Sequence, residues 1–104
     1  MSALPTTHDR DPLVRLNATV EGRVQGVGFR WWVQSQARAR SLVGWVANSP
    51  DERSVEVVAE GPPGAIAELE ELLRVGPPGA RVERVKATRG PASGTLRRFE
   101  IVRP

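Results

Sequence analysis

The run Glu21-Gly22-Arg23-Val24-Gln25-Gly26-Val27-Gly28-Phe29-Arg30-Trp31-Trp32 constrains this chain more than any other stretch. Ala18, Thr19 and Val20 lead into it with strand character, Gly22, Gly26 and Gly28 interrupt it, and Phe29 opens a segment of helical period. A chain that leaves a strand, turns through glycines free to take positive φ and enters a helix presents backbone N–H groups with no intrahelical acceptor. Such a mouth attracts anions. Arg30 stands at it, and its guanidinium can hold two phosphate oxygens at once. The stretch therefore predicts an oxyanion cradle: a nest of amides with one arginine across it.

The flanking chain supplies a frame. Leu13 to Glu21 reads as a strand, with Val14, Leu16, Ala18 and Val20 on one face and Arg15, Asn17 and Thr19 on the other. Phe29 to Ser41 reads as a helix whose stripe is Phe29, Val33, Ala37 and Arg40, with Trp32 and Gln36 beside it. Leu42 to Asn48 is a second strand, Asn48 to Arg53 a hairpin turn, and Ser54 to Glu60 a third strand. In that third strand Val55, Val57 and Ala59 alternate with Glu56, Val58 and Glu60. Gly61-Pro62-Pro63-Gly64 punctuates, and a second helix runs from about Pro63 or Gly64 to Val75 on Ile66, Leu69, Leu72 and Leu73. Glu68, Glu70 and Glu71 read as its solvated face. Ala80 to Thr88 is a fourth strand, Arg89 to Gly94 a loop, and Leu96 to Val102 a last strand. The order β-α-β-β-α-β plus a short closing strand predicts an α+β, ferredoxin-like sandwich, two helices on one face of an antiparallel sheet.

With 104 residues the chain has room for one modest core. Residues 1–12, polar and carrying Pro5 and Pro12, read as a flexible tail, and 13–104 as the single domain. No apolar run has membrane-spanning length, and the first residues lack a signal peptide's apolar centre. There is no cysteine, which fits a cytoplasmic home. The 14 arginines and one lysine leave a net charge of only +3, too small an excess to argue for a nucleic-acid surface. An RNA-recognition module shares the element order but needs aromatics on its middle strands and a basic sheet face. Here Phe29, Trp31 and Trp32 fall at the loop and helix.

Several chemistries are excluded by residue type. The one histidine, His8, lies in the tail, so neither a zinc cluster nor a Ser-His or Cys-His nucleophile can be assembled. The glycine run lacks the third glycine of a dinucleotide fingerprint and no Gly-Lys-Ser/Thr triplet follows it. Trp31 and Trp32 read as core and helix packing, and Trp45 as a structural strand residue. Arg23 reads equally well as loop surface or as added positive potential. From residue type alone Asn48, two positions before Pro50, reads as a turn residue.

Gly22-Arg23-Val24-Gln25-Gly26-Val27-Gly28-Phe29-Arg30 resembles the signature loop of the acylphosphatases, and Gly44-Trp45-Val46-Ala47-Asn48 resembles that family's second motif. Val55-Glu56-Val57, Glu60-Gly61 and Phe99-Glu100-Ile101 fit the same pattern, so the resemblance covers roughly residues 14 to 103. It implies hydrolysis of the carboxyl-phosphate bond of acyl phosphates to a carboxylate and inorganic phosphate. By the resemblance Arg30 binds the phosphoryl group and Asn48 holds the attacking water. The backbone of Val24, Gln25, Gly26, Val27, Gly28 and Phe29 cradles the phosphoryl oxygens. The chain is expected to work as a cytoplasmic monomer with no metal or cofactor and no nucleic-acid or membrane partner. The alternative is a non-catalytic anion- or metabolite-binding domain on the same fold. Two positions depart from the family pattern. Arg40-Ser41 stands where the family has a large aliphatic residue and glycine. The turn after Asn48 is one residue longer than usual, which predicts a wider, more mobile loop.

Overall fold

A computed structural model describes residues 12–103; the expected tail up to Asp11, with His8, and Pro104 lie outside the described residues. Strand β1 (Val14–Arg23) is followed by helix α1 (Phe29–Ala39), β2 (Val43–Asn48), β3 (Ser54–Gly61), helix α2 (Pro63–Val75), β4 (Arg81–Pro91) and β5 (Phe99–Ile101). The strands form one sheet in the order β4-β1-β3-β2-β5. The expected sandwich is there, with one correction: the sheet is mixed. β5 pairs parallel to β2, Gly44 opposite Phe99 and Val46 opposite Ile101, whereas the other neighbours run antiparallel.

The core lies between the sheet and the helices. Leu16, Ala18 and Val20 of β1, Val55, Val57 and Ala59 of β3, Val46 and Phe99 meet Phe29, Val33 and Ala37 of α1 and Ile66, Leu69 and Leu73 of α2. Period-two and helical stripes thus point at one another, which is how both element types bury an apolar face. Three strands differ from the sequence reading by two residues or more. β1 does not stop at Glu21: after a register shift Gly22 and Arg23 pair with Val82 and Arg81. Arg89, Gly90 and Pro91 continue β4 and pair with Leu16, Arg15 and Val14. Pro91 is tolerated there because β4 is an edge strand and proline closes it. At the other end Leu96 to Arg98 precede the last strand, which is confined to Phe99–Ile101.

Helix α1 stops without glycine. Ser41 takes the left-handed conformation at φ 57, and the amides of Ser41 and Leu42 donate to the carbonyls of Arg38 and Ala37. This is the Schellman pattern, in which glycine is usual because a Cβ costs energy at positive φ. Arg40 caps the same turn with its side chain, donating from Nη1 to the Gln36 carbonyl at 3.0 Å. Its Nε reaches Glu68 on α2 at 3.0 Å, so the arginine bridges the two helices.

Val58 and Glu60 face away from the helices as expected, yet both are buried. The Ser93–Gly94 segment folds over this outer face and hangs on the Glu60 carboxylate, which accepts hydrogen bonds from the Ser93 amide (3.0 Å), the Ser93 hydroxyl (3.1 Å) and the Gly94 amide (3.3 Å). Arg15, opposite Glu60 on β1, completes the cluster at 3.0 Å. Burial pushes this carboxyl up; the donors from Ser93, Gly94 and Arg15 outweigh it and hold Glu60 below the usual carboxylate range. Glu68 and Glu71 are exposed, but Glu70, expected in solvent, is partly buried between Arg89 at 2.8 Å and Arg74 at 2.9 Å. The Arg89 hydrogen bond, more than that of Arg74, lowers the Glu70 pKa against the cost of burial.

Candidate active site

The loop between β1 and α1 is built around free amides. Val24 is buried, and its N–H turns back to the Gly22 carbonyl at 3.0 Å. Beyond it Gly26 (φ 72) and Gly28 (φ 73) take left-handed conformations, and Gly28 is the N-cap of α1. Among the described residues, no carbonyl or side chain accepts from the amides of Gln25 through Trp31; the next N–H with a partner is Trp32, which donates to Gly28 at 2.9 Å. No side chain caps the helix and its first turn holds no acidic residue. The row of amides is therefore left without an internal acceptor at the positive end of the helix dipole, where an anion is favoured. Gln25 fixes the loop from the side, its Nε2 donating to the Ser54 carbonyl at the start of β3 at 3.1 Å.

Arg30 lies in the first turn of α1, directly after the glycine loop, and Asn48 at the end of β2. Asn48 ends β2 two residues after the buried Val46, so it lies on the helix-facing side of the sheet, where the first turn of α1 brings Arg30. The two line one hollow, together with Ser49, Pro50, Glu52 and Arg103. Among the described residues Arg30 has no carboxylate partner. The reading of Arg30 as a paired surface arginine therefore has no support there. Arg103 had no signal in the sequence. It reaches the site because β5 runs parallel to β2: Ile101 is opposite Val46, and extending that register by two residues brings Arg103 beside Asn48. Arg23 lines a different hollow, with Glu21, Asp51 and Glu83.

The turn after Asn48 is stapled rather than wide. Ser49 is buried, its N–H donates to the Ser54 carbonyl at 2.9 Å, and its hydroxyl donates to Asp51 at 2.6 Å and accepts from the Ser54 amide at 3.2 Å. Asp51 also accepts the Arg53 amide at 3.1 Å, and these bonds, the Ser49 hydroxyl first, lower its pKa. Within the turn Glu52 takes the left-handed conformation at φ 58. Because the Ser54 carbonyl accepts from both Ser49 and Gln25, one acceptor ties the turn that carries Asn48 to the loop that carries the amides.

The tryptophans divide. Trp32 packs against the core with its ring centroid 5.5 Å from that of Phe29, as the sequence suggested. Trp31 does not pack: it is 70 % exposed. Gln34, unremarked in the sequence, is buried and donates from Nε2 to the Phe99 carbonyl at 3.2 Å, pinning α1 to β5. No group of three or more metal-ligating side chains occurs among the described residues, and no helix there is long and apolar enough to cross a membrane.

An α+β sandwich with a row of unpaired amides at a helix start, followed by an arginine that shares a hollow with an asparagine, suits a small protein that handles phosphate. The comparisons with known proteins make the assignment specific. The acylphosphatase family model matches residues 16–101, and the chain belongs to that family. It is 50 % identical to an acylphosphatase of Nocardia farcinica over 96 % of this chain and 98 % of that one. The crystal structure of the Bacillus subtilis acylphosphatase superposes with a TM-score of 0.81 at 40 % identity, covering 86 % of this chain and 98 % of that one. An acylphosphatase from Coxiella burnetii gives a TM-score of 0.79 at 35 % identity over 88 % and 94 %.

Proposed function

We propose that the chain hydrolyses acyl phosphates as its family does, with the amides of Gln25, Gly26, Val27, Gly28 and Phe29 and the Arg30 guanidinium holding the phosphoryl oxygens and Asn48 orienting the attacking water. The observation that carries this is the row of amides from Gln25 to Trp31 without acceptors, which runs through Arg30, the residue that shares a hollow with Asn48. Val24 serves the loop differently, since its own amide is already spent on Gly22.

The water oxygen bonds to phosphorus as the bond from phosphorus to the acyl oxygen breaks. The carboxylate departs with that electron pair, and the water's proton passes to an oxygen of the substrate's own phosphoryl group, so the products are a carboxylate and dihydrogen phosphate. Phosphoryl transfer runs through a loose transition state, so positioning and charge stabilisation do most of the work. Fixed amides and a guanidinium act on the charge that spreads over the equatorial oxygens. A carboxylate is a good leaving group and needs no strong acid. Asn48 takes no proton near neutral pH; its amide carbonyl orients the water. Arg103, lining the same hollow, adds a second positive charge. On this reading the enzyme works as a cytoplasmic monomer without a metal.

Hydrolysis of benzoyl phosphate with a chelator present tests the proposal. Turnover should persist, and Arg30→Ala should nearly abolish both turnover and inhibition by inorganic phosphate. A folded chain that binds phosphate but never turns over an acyl phosphate supports the anion-binding alternative instead.

A further inference from the structure

Trp31 exposes 70 % of its surface in the first turn of α1, next to Arg30. An indole left in water forgoes one of the largest burial gains a side chain can make. It lines a second hollow with Arg30, Gln34, Glu100, Ile101 and Arg103. This hollow shares Arg30 and Arg103 with the one that holds Asn48, but Asn48 itself does not line it. Its walls are fixed, because Gln34 ties α1 to β5 through the Phe99 carbonyl at 3.2 Å.

In-line displacement puts the entering water and the departing group on opposite sides of phosphorus. With the phosphoryl group held at Arg30, which lines both hollows, and the water beside Asn48, the acyl group is left the hollow that Trp31 lines. We infer that this hollow is the acyl subsite, and that Trp31, with Ile101 as the second apolar wall, selects acyl phosphates whose acyl group is flat and apolar, aromatic ones above all. The inference rests on the acyl phosphate reading above and adds the substrate class to it. A planar acyl group stacks on an indole face, whereas a methyl group covers little of it.

The test compares kcat/KM for benzoyl phosphate and acetyl phosphate in the wild-type chain, Trp31→Ala and Trp31→Phe. Taking the ratio within each variant cancels the different intrinsic reactivity of the two substrates. The inference predicts that Trp31→Ala lowers the benzoyl-to-acetyl ratio about tenfold, the lower end of what an apolar pocket discriminates because this wall is partly open. Trp31→Phe should hold the ratio within about threefold of wild type, since a smaller ring still stacks. A ratio in Trp31→Ala within about twofold of wild type overturns the inference, whether both substrates are unaffected or both slow together. That result leaves the hydrolase reading intact, because both substrates are still turned over. A wild-type chain that hydrolyses neither overturns both.

Discussion

Replacing Glu60 by glutamine tests whether the outer face of the sheet is held by one buried carboxylate. Glu60 is 3 % exposed, and its oxygens divide four donors: Oε2 takes Arg15 Nη1 and the Ser93 amide, Oε1 takes the Ser93 hydroxyl and the Gly94 amide. Glu60→Gln keeps the volume but turns one oxygen into an NH2 group. Turned toward Oε2 the NH2 faces two donors, Arg15 and the Ser93 amide; turned toward Oε1 it faces the Gly94 amide and the Ser93 hydroxyl, which can turn to accept and donate to Thr95 instead. Hydrogen bonds to charged groups contribute about 1.5–3 kcal/mol each, and orphaned buried donors cost about 1–3 kcal/mol. Partial relaxation of the Ser93–Gly94 segment recovers part of that, so the expected loss at neutral pH is about 3 kcal/mol. With a urea slope of about 1 kcal/mol per M for a domain of this size, the unfolding midpoint should fall by about 3 M.

The pH dependence supplies the second half of the test. The folded pKa of Glu60 is lowered, so the unfolded chain binds its proton first as acid is added. The contribution is complete above the unfolded value of about 4.3 and is lost as pH falls through the folded value. Glu70 and Asp51, also lowered, weaken along with it in both proteins, so only the difference between wild type and Glu60→Gln reports on Glu60. That difference should shrink steadily below about pH 4.3. A loss under about 1 kcal/mol at pH 7, or a difference that stays constant into acid, would refute the argument.

Three further outcomes follow from single positions. Ser41→Gly relieves the left-handed serine at the end of α1 and should stabilise by about 0.5–1 kcal/mol once glycine's extra unfolded freedom is subtracted, raising Tm by about 2–8 °C by calorimetry. An added Cβ at Gly44, φ 147, would stand 1.9 Å from the Val58 carbonyl oxygen, so Gly44→Ala should part β2 from β3 and leave no cooperative unfolding transition near the wild-type Tm. Asn48→Ala should lower kcat by about 10²–10³ while inhibition by phosphate changes less than about threefold, because water positioning is lost and the anion site is kept.

The fold was legible because the apolar period switches between two and 3.6 at each element boundary, and glycine or proline marks most of the switches. What the pattern missed was long-range. Nothing local in Leu96–Ile101 announces that the last strand runs parallel to β2, so Arg103 could not be brought to Asn48. Gln34 and Glu60 are polar residues whose partners, Phe99 and Ser93, lie 65 and 33 positions away. Arg89–Pro91 was hidden because proline and glycine look like loop until an edge strand accommodates them. The loop and Arg30 were visible as physics, whereas Asn48 was visible only through the resemblance; by type it is a turn residue. Trp31 was legible and misread. Phe29, Val33 and Ala37 define the buried stripe, and a position two residues on from Phe29 lies about 200° around the helix, on the solvent side.

The measurement that bears most directly on the phosphate cradle is an amide-resolved NMR titration of the chain with inorganic phosphate. The account predicts that the backbone amides from Gln25 to Trp31 shift together along one saturable curve, and that the response is lost in Arg30→Ala. If those amides stay still while resonances elsewhere report binding, the cradle is not where phosphate sits and the account of the site is wrong.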